Sequence, residues 1–247
     1  MSEAPGRELP AVVSFVRRSP RMNPSQQRAL DRLAPQYLIE VPRGELSTSI
    51  ASCAQVDWNA EFGRPVGAEN SPVFVEIGSG TGDSLVASAL AHPEANLIGF
   101  EVYERAVAST MSKLAAAGAA NARLMMVDAV QALDHLFAPS SIARLSLFFP
   151  DPWPKKRHHK RRLVSPAFSE VAASRLTIGG CWLVATDWPD YADQMREVLD
   201  STPGLINEYA TPGGWAPRPD ERPITKFEQR GLAAGRPVVD LCYRRVP

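Results

Sequence analysis

Val73-Phe74-Val75-Glu76-Ile77-Gly78-Ser79-Gly80-Thr81-Gly82 decides the fold. A five-residue run rich in Val and Ile is too short for a helix and reads as a buried strand. Three glycines at alternate positions follow, and then an apolar stretch from Leu85 to Leu90 that reads as a helix. Glycine in a strand-to-helix turn lets the backbone reverse sharply and lets a ligand approach it closely. The spacing is Gly-x-Gly-x-Gly, whereas dinucleotide binding uses Gly-x-Gly-x-x-Gly. The loop therefore suits an adenosine ligand with a small charged tail and no pyrophosphate.

The same alternation continues on the C-terminal side. Strands are predicted at Asn96–Val102, Arg123–Val127, Leu145–Phe149 and Cys181–Thr186. Helices are predicted at Glu104–Ala117, Ala129–Phe137, Pro166–Leu176 and Tyr191–Leu199. Strands separated by helices imply βαβ units and a parallel sheet covered on both faces. Leu205–Tyr209 and Val238–Tyr243 are strand-like, with a Pro/Gly segment and no helix expected between them, which predicts an antiparallel closure of the sheet edge. Upstream, residues 42–71 read as loop-rich, and Gln26–Leu33 as a short helix capped by Asn23 or Ser25. Residues 1 to about 20, rich in Pro, Arg and Ser, are expected to be mobile. The organisation is an arm with a short helix over 1–60 and an α/β domain over 61–247.

Composition narrows the function classes. The chain has 247 residues, 27 Lys+Arg against 27 Asp+Glu, and is 45% hydrophobic. With zero net charge, a polyanion would have to be engaged by a local patch. Three dispersed cysteines, Cys53, Cys181 and Cys242, form neither a disulfide framework nor a zinc pattern. No metal site is expected. Met1 to Arg21 carries charges and prolines where a signal peptide needs an apolar run, and no membrane span is foreseen. A cytoplasmic location and a monomer or homodimer are the expectations.

Carboxylates mark the C-terminal ends of four successive strands: Glu76, Glu101, Asp128 and Asp151. That edge is where open α/β sheets bind ligands. Glu101, 25 residues after Glu76, is placed to accept ribose hydroxyls. Asp128 is placed near an adenine amine. An acid at one strand end can simply cap the next helix, but four together with a glycine loop suit a cationic nucleoside such as S-adenosylmethionine. After Asp151 comes Pro152-Trp153-Pro154 and then Lys155-Lys156-Arg157-His158-His159-Lys160-Arg161-Arg162, six Lys/Arg and two His in a row. A lone acid beside concentrated positive charge suggests chemistry on a polyanion.

Several stretches resemble the bacterial tRNA (guanine-46-N7)-methyltransferase family. They are Val75 to Gly82, Gly99-Phe100-Glu101-Val102, Phe149 to His158, Ala185-Thr186-Asp187-Trp188 and Thr225-Lys226-Phe227-Glu228-Gln229-Arg230-Gly231. Arg17-Arg18 and Arg21-Met22 fit its N-terminal segment. The resemblance covers nearly the whole chain in order. Pro20-Arg21-Met22-Asn23 departs from the family's usual Gly-Arg-Met-Thr.

The resemblance implies a Rossmann-like α/β class I methyltransferase fold, with a seven-stranded, mostly parallel sheet and an antiparallel C-terminal strand. It implies S-adenosylmethionine as cofactor and tRNA as partner. Glu76, Gly78, Gly80, Gly82, Glu101, Asp128 and Asp151 would lie at the cofactor, with Asp151 catalytic. Lys155, Asp187, Thr225, Lys226, Phe227 and Glu228 would contact the substrate base, and Arg157, His158, His159, Lys160, Arg161 and Arg162 the RNA. Glu228 could accept from guanine N1–H and the exocyclic amine, and Asp187 could do the same. Three rivals are weighed against this reading, of which a nicotinamide dehydrogenase is disfavoured by the glycine spacing. An exocyclic-amine methyltransferase is suggested by Asp151-Pro152-Trp153, and an RNA-binding protein without catalysis would reuse the same scaffold.

Overall fold

The computed structural model describes residues 22–67, 71–211 and 213–247, with the backbone alone at Lys226 and Phe227. The mobility expected of residues 1 to about 20, and the motif residues Arg17, Arg18 and Arg21, lie outside the described residues.

Pro24–Tyr37 forms α1. Its start is fixed by a capping box: Gln26 N donates to Asn23 Oδ1 at 2.8 Å, and Asn23 N to Gln26 Oε1 at 3.1 Å. The helix runs one turn beyond the expected Leu33, past Pro35, because Leu33 and Tyr37 bury against the domain. A short helix α2, Trp58–Phe62, was not foreseen, although Asp57 caps it and Gly63 ends it in the left-handed conformation.

The alternating part begins with β1, Val73–Ile77, followed by α3, Asp83–Ala91. Then come β2, Asn96–Phe100, α4, Glu104–Ala117, β3, Ala122–Met125, and α5, Ala129–Leu136. β4, Ile142–Phe148, leads through a 3-10 helix at Lys156–Arg161 into α6, Pro166–Arg175. β5, Leu176–Thr186, starts five residues before the expected Cys181, because Leu176 is already paired with Ile142. α7, Pro189–Asp200, and the short β6, Leu205–Asn207, follow. Before β7, Val239–Arg245, stands α8, Lys226–Ala233, where no helix was expected. Thr225 Oγ1 caps α8 by accepting from Glu228 N at 3.2 Å. The Thr-x-x-Glu spacing is an N-terminal helix signal that the surrounding Pro and Gly residues obscured.

The sheet order is β3-β2-β1-β4-β5-β7-β6, with β7 antiparallel to both neighbours and the first five strands parallel. This is the seven-stranded, Rossmann-like class I methyltransferase arrangement. A separate core covers each face. One gathers Trp182, Leu145, Phe168 and Tyr191, and takes in Ile39, Val41 and Ile50 from the N-terminal region. The other packs Leu33 and Tyr37 against Leu97, Met111, Leu114 and Leu124. The chain steps from β1 outward to β3 and then returns to β4 on the far side of β1. Helices on either side of that reversal diverge and leave a crevice at the strands' C-terminal ends.

Candidate active site

The crevice is a cavity of about 650 Å³ at the ends of β1 and β4. The glycine loop forms one wall, Glu101 to Ser109 a second, Val127 to Val130 a third, and Phe148 to Asp151 the fourth. Gln26, Thr225 and Arg230 reach the same cavity from α1 and α8.

The loop's shape depends on its glycines. Gly78, Gly80 and Gly82 have φ of 71°, 54° and 82°. At Gly82 a Cβ would also sit 2.4 Å from Thr110 Cγ2, so any side chain there meets both strain and a clash.

Glu101 is held by three backbone donors. Gly80 N donates to Oε2 at 2.9 Å, and Val102 N and Tyr103 N donate to Oε1 at 2.7 and 2.9 Å. Burial pushes its carboxyl above the usual range, these donors oppose the shift, and the charge of Asp151 adds to it. Glu76, 7% exposed at the end of β1, is pushed up to about 8 by burial, with the Ser84 hydroxyl giving partial relief. Asp151 opens to the cavity, yet the protein packed around its carboxyl raises that group too. Asp128 caps α5, with Oδ1 accepting from Val130 N at 2.9 Å and Gln131 N at 3.3 Å. It lines the cavity as well, so capping and lining are not alternatives.

Four acids thus converge, three of them disfavoured in charged form. Such a cavity rewards a cation. Ser79 Oγ is buried and has no hydrogen-bond partner within the protein.

The chain is similar to known methyltransferases. A family model described as "Putative methyltransferase" matches residues 70–241. A tRNA (guanine-N(7)-)-methyltransferase of Cutibacterium acnes is 55% identical over 235 residues, covering 95% of this chain and 83% of that one. The chain belongs to the tRNA (guanine-N(7)-)-methyltransferase family. A member from Nocardioides sp. is 43% identical over 243 residues, covering 98% of this chain and 90% of its own. Among solved structures, the 16S rRNA methyltransferase KamB shares the fold, with 18% identity and a TM-score of 0.52 over 85% of this chain and all of that one.

The Pro-Asp-Pro-Trp stretch, one of the motifs on which the resemblance to this methyltransferase family rested, is a strained turn. Phe149 and Trp153 have φ of 53° and 45°, uncommon for bulky side chains. Phe149 N donates to Ala185 O at 2.8 Å, which fixes the start of the turn. Arg162 fixes the other end. Its Nε donates to Pro152 O at 2.9 Å, Nη1 to Gln194 Oε1 at 2.6 Å and Nη2 to Asp190 Oδ2 at 2.5 Å, while the guanidinium lies over Tyr191.

Arg162 is 3% exposed, so the expectation that it holds RNA is corrected: its donors are spent inside the protein. The rest of the basic segment is not a loop but the 3-10 helix, preceded by Lys155. Lys155, Lys156, Arg157 and Lys160 are exposed. Arg161 lies over the Trp153 ring at 4.9 Å, and His158 meets the edge of that ring. His159 Nε2 is 3.7 Å from Asp190 Oδ2. This division predicts two separable phenotypes. Neutralising Lys155, Lys156, Arg157 and Lys160 should leave folding intact and flatten the salt dependence of RNA binding by about 2–3 in log–log slope. Arg162→Ala should instead cost roughly 2–3 kcal/mol of stability and leave that slope unchanged. Salt titration of RNA binding and thermal melting check both.

Two expected base-contacting acids sit outside the cavity. Asp187 accepts from Arg236 Nε at 2.8 Å and lies against Gly231 of α8, where a Cβ would come within 2.5 Å of Oδ2. Glu228 is 3% exposed and ion-paired with Arg222 and Arg218. Neither lines the cavity, whereas Thr225 does. Lys155 stands exposed before the 3-10 helix and away from the cavity wall. Arg230 and Gln26, at the cavity mouth, were not singled out beforehand. The Thr-x-x-Glu signal would have placed Arg230 on a helix beginning at Thr225, but nothing in the sequence ties Gln26 to the strand ends. Among the described residues no group of His, Cys, Asp and Glu is arranged to hold a metal, and no helix is long and apolar enough to cross a membrane.

Proposed function

We propose that the chain transfers a methyl group from S-adenosylmethionine to N7 of a guanine in tRNA. Membership of the tRNA (guanine-N(7)-)-methyltransferase family, with 55% identity across almost the whole chain, carries this reading. The acceptor is placed at position 46 of the variable loop, and the work in the cytoplasm, as finer parts of the same proposal.

The cavity fits the cofactor. Glu101, already held in place by three N–H groups, keeps acceptor capacity for ribose hydroxyls. Asp128 lines the cavity and caps α5 through Oδ1 alone, which leaves Oδ2 for the adenine amine. Glu76 meets a cationic group. When bound, S-adenosylmethionine supplies an electrophilic methyl on a sulfonium, which leaves sulfur as a bond to guanine N7 forms.

Guanine N7 carries no proton near neutrality, so no side chain has a proton to remove. The chain's work is to orient the base and to accommodate positive charge as it moves onto the purine. Asp151, on the strained turn at the cavity wall, is placed for that task. Thr225 and Arg230 line the same cavity. The exposed cations at Lys155 to Lys160 position the RNA backbone.

Labelled methyl transfer to unmodified tRNA, followed by nuclease digestion and mass spectrometry, tests the proposal. N7-methylguanosine is the expected product. An N2-methylated guanosine would instead support the exocyclic-amine rival.

A further inference from the structure

Arg222 is the most enclosed arginine of the region around the cavity. It is 2% exposed, in the segment that leads into α8. Its Nη1 donates to Glu228 Oε2 at 2.8 Å, and its Nη2 to Asp240 Oδ2 at 3.0 Å on β7. Arg218 Nε approaches Glu228 Oε1 at 3.3 Å from the exposed side. The two cations and two carboxylates balance. The guanidinium of Arg222 also lies over two rings, 5.5 Å from the centre of Phe148 and 5.4 Å from that of Phe149.

Those rings belong to the cavity wall, and Phe149 is the strained residue that opens the turn carrying Asp151. One buried side chain therefore touches three parts of the site: the acceptor turn through Phe149, helix α8 through Glu228, and the sheet through Asp240. Thr225 and Arg230 line the cavity from α8, so the spacing between α8 and the turn sets the width of the mouth.

We infer that Arg222 is a positioning residue for methyl transfer, and that Glu228 acts through Arg222 rather than on the guanine. The inference rests on the methyl-transfer reading. A bidentate, ring-stacked arginine cannot be replaced by lysine without losing the planar fork, although the charge is kept. Glu228 has both oxygens committed to arginines and does not line the cavity. Its carboxylate holds α8 against Arg222, much as Asp187 holds α8 through Arg236 and close contact with Gly231.

The test is a double-mutant cycle of Arg222→Lys, Glu228→Gln and the pair, read as kcat, KM for tRNA, cofactor Kd and melting temperature. A misplacement near one ångström costs about 10²-fold in turnover, so each single variant should lose on that order in kcat. KM for tRNA and cofactor Kd should stay within about threefold, since neither ligand is contacted. The pair should lose no more than the worse single, because one linkage is broken either way. Multiplying losses, or a large rise in KM for tRNA in Glu228→Gln alone, would place Glu228 on the RNA and overturn the inference. Unchanged kcat in Arg222→Lys would overturn it too, as would losses that merely track melting temperature and cofactor Kd. A wild-type chain inactive on tRNA would remove the underlying reading; activity in the wild type with an additive cycle removes the inference alone.

Discussion

Glu76→Gln is expected to weaken cofactor binding by about 10²–10³-fold at alkaline pH, the cost of stranding a cation beside a buried neutral group. It should stabilise the free protein under the same conditions. Both outcomes follow from one carboxyl at the end of β1, buried and raised from 4.5 to about 8. In the unfolded chain this group ionises near 4.5, but in the folded chain only near 8. The folded state therefore binds more protons across that window, and stability falls as pH climbs through it. Above about pH 8 the penalty is complete and amounts to roughly 5 kcal/mol, at ~1.4 kcal/mol per pKa unit. Glutamine does not ionise, so the variant escapes the penalty. Cofactor affinity in the wild type runs the other way. A cation pairs with the carboxylate, so affinity should improve up to about tenfold per pH unit until near pH 8 and then level off. Calorimetric titrations and melting curves across this range check both limbs. Loss of affinity without gain in alkaline stability would contradict the burial argument.

Asp151→Ala is the second large effect. Removing a preorganised group that faces developing charge typically costs about 10²–10³-fold in turnover. Cofactor binding should change far less, because Glu76, Glu101 and Asp128 remain. Asp151→Asn keeps the hydrogen-bonding shape and loses the charge, so it separates two roles. If Asp151 stabilises the cationic purine, Asn should be nearly as impaired as Ala; if it holds the base by hydrogen bonds, Asn should recover much of the activity. No base is needed at N7, so any rise of the wild-type rate with pH that tracks ionisation of Asp151 reports the arrival of its charge rather than proton removal. Rapid-quench single-turnover assays measure the chemical step directly.

Much of this architecture was legible in the chain because its signals are local. Val73–Ile77 and the glycines behind it announce a strand and a turn through composition alone, and α4 matched its expected span, Glu104–Ala117. The strand-end acids were equally readable, since strand termini of a parallel sheet share one edge. What could not be read was pairing at long range. Arg162 looks like its cationic neighbours in sequence, and only the fold brings Pro152, Gln194 and Asp190 around it. Glu228 stands in a stretch that resembles the family's substrate-contacting residues. Arg222, six residues before it, carries no local sign that the two will be buried together with Asp240. Helix α8 was missed for a different reason: its cap was visible, but the Pro and Gly residues on both sides outweighed a helix of only eight residues.

A tRNA carrying 7-deazaguanine at position 46 tests most directly whether N7 is the acceptor atom. That base keeps the guanine Watson–Crick edge and exocyclic amine but has carbon in place of N7. With N7 as the acceptor, the substituted tRNA binds as well as the normal one and accepts no methyl group at that nucleotide. Undiminished transfer to the substituted nucleotide would contradict it and move the chemistry to another atom.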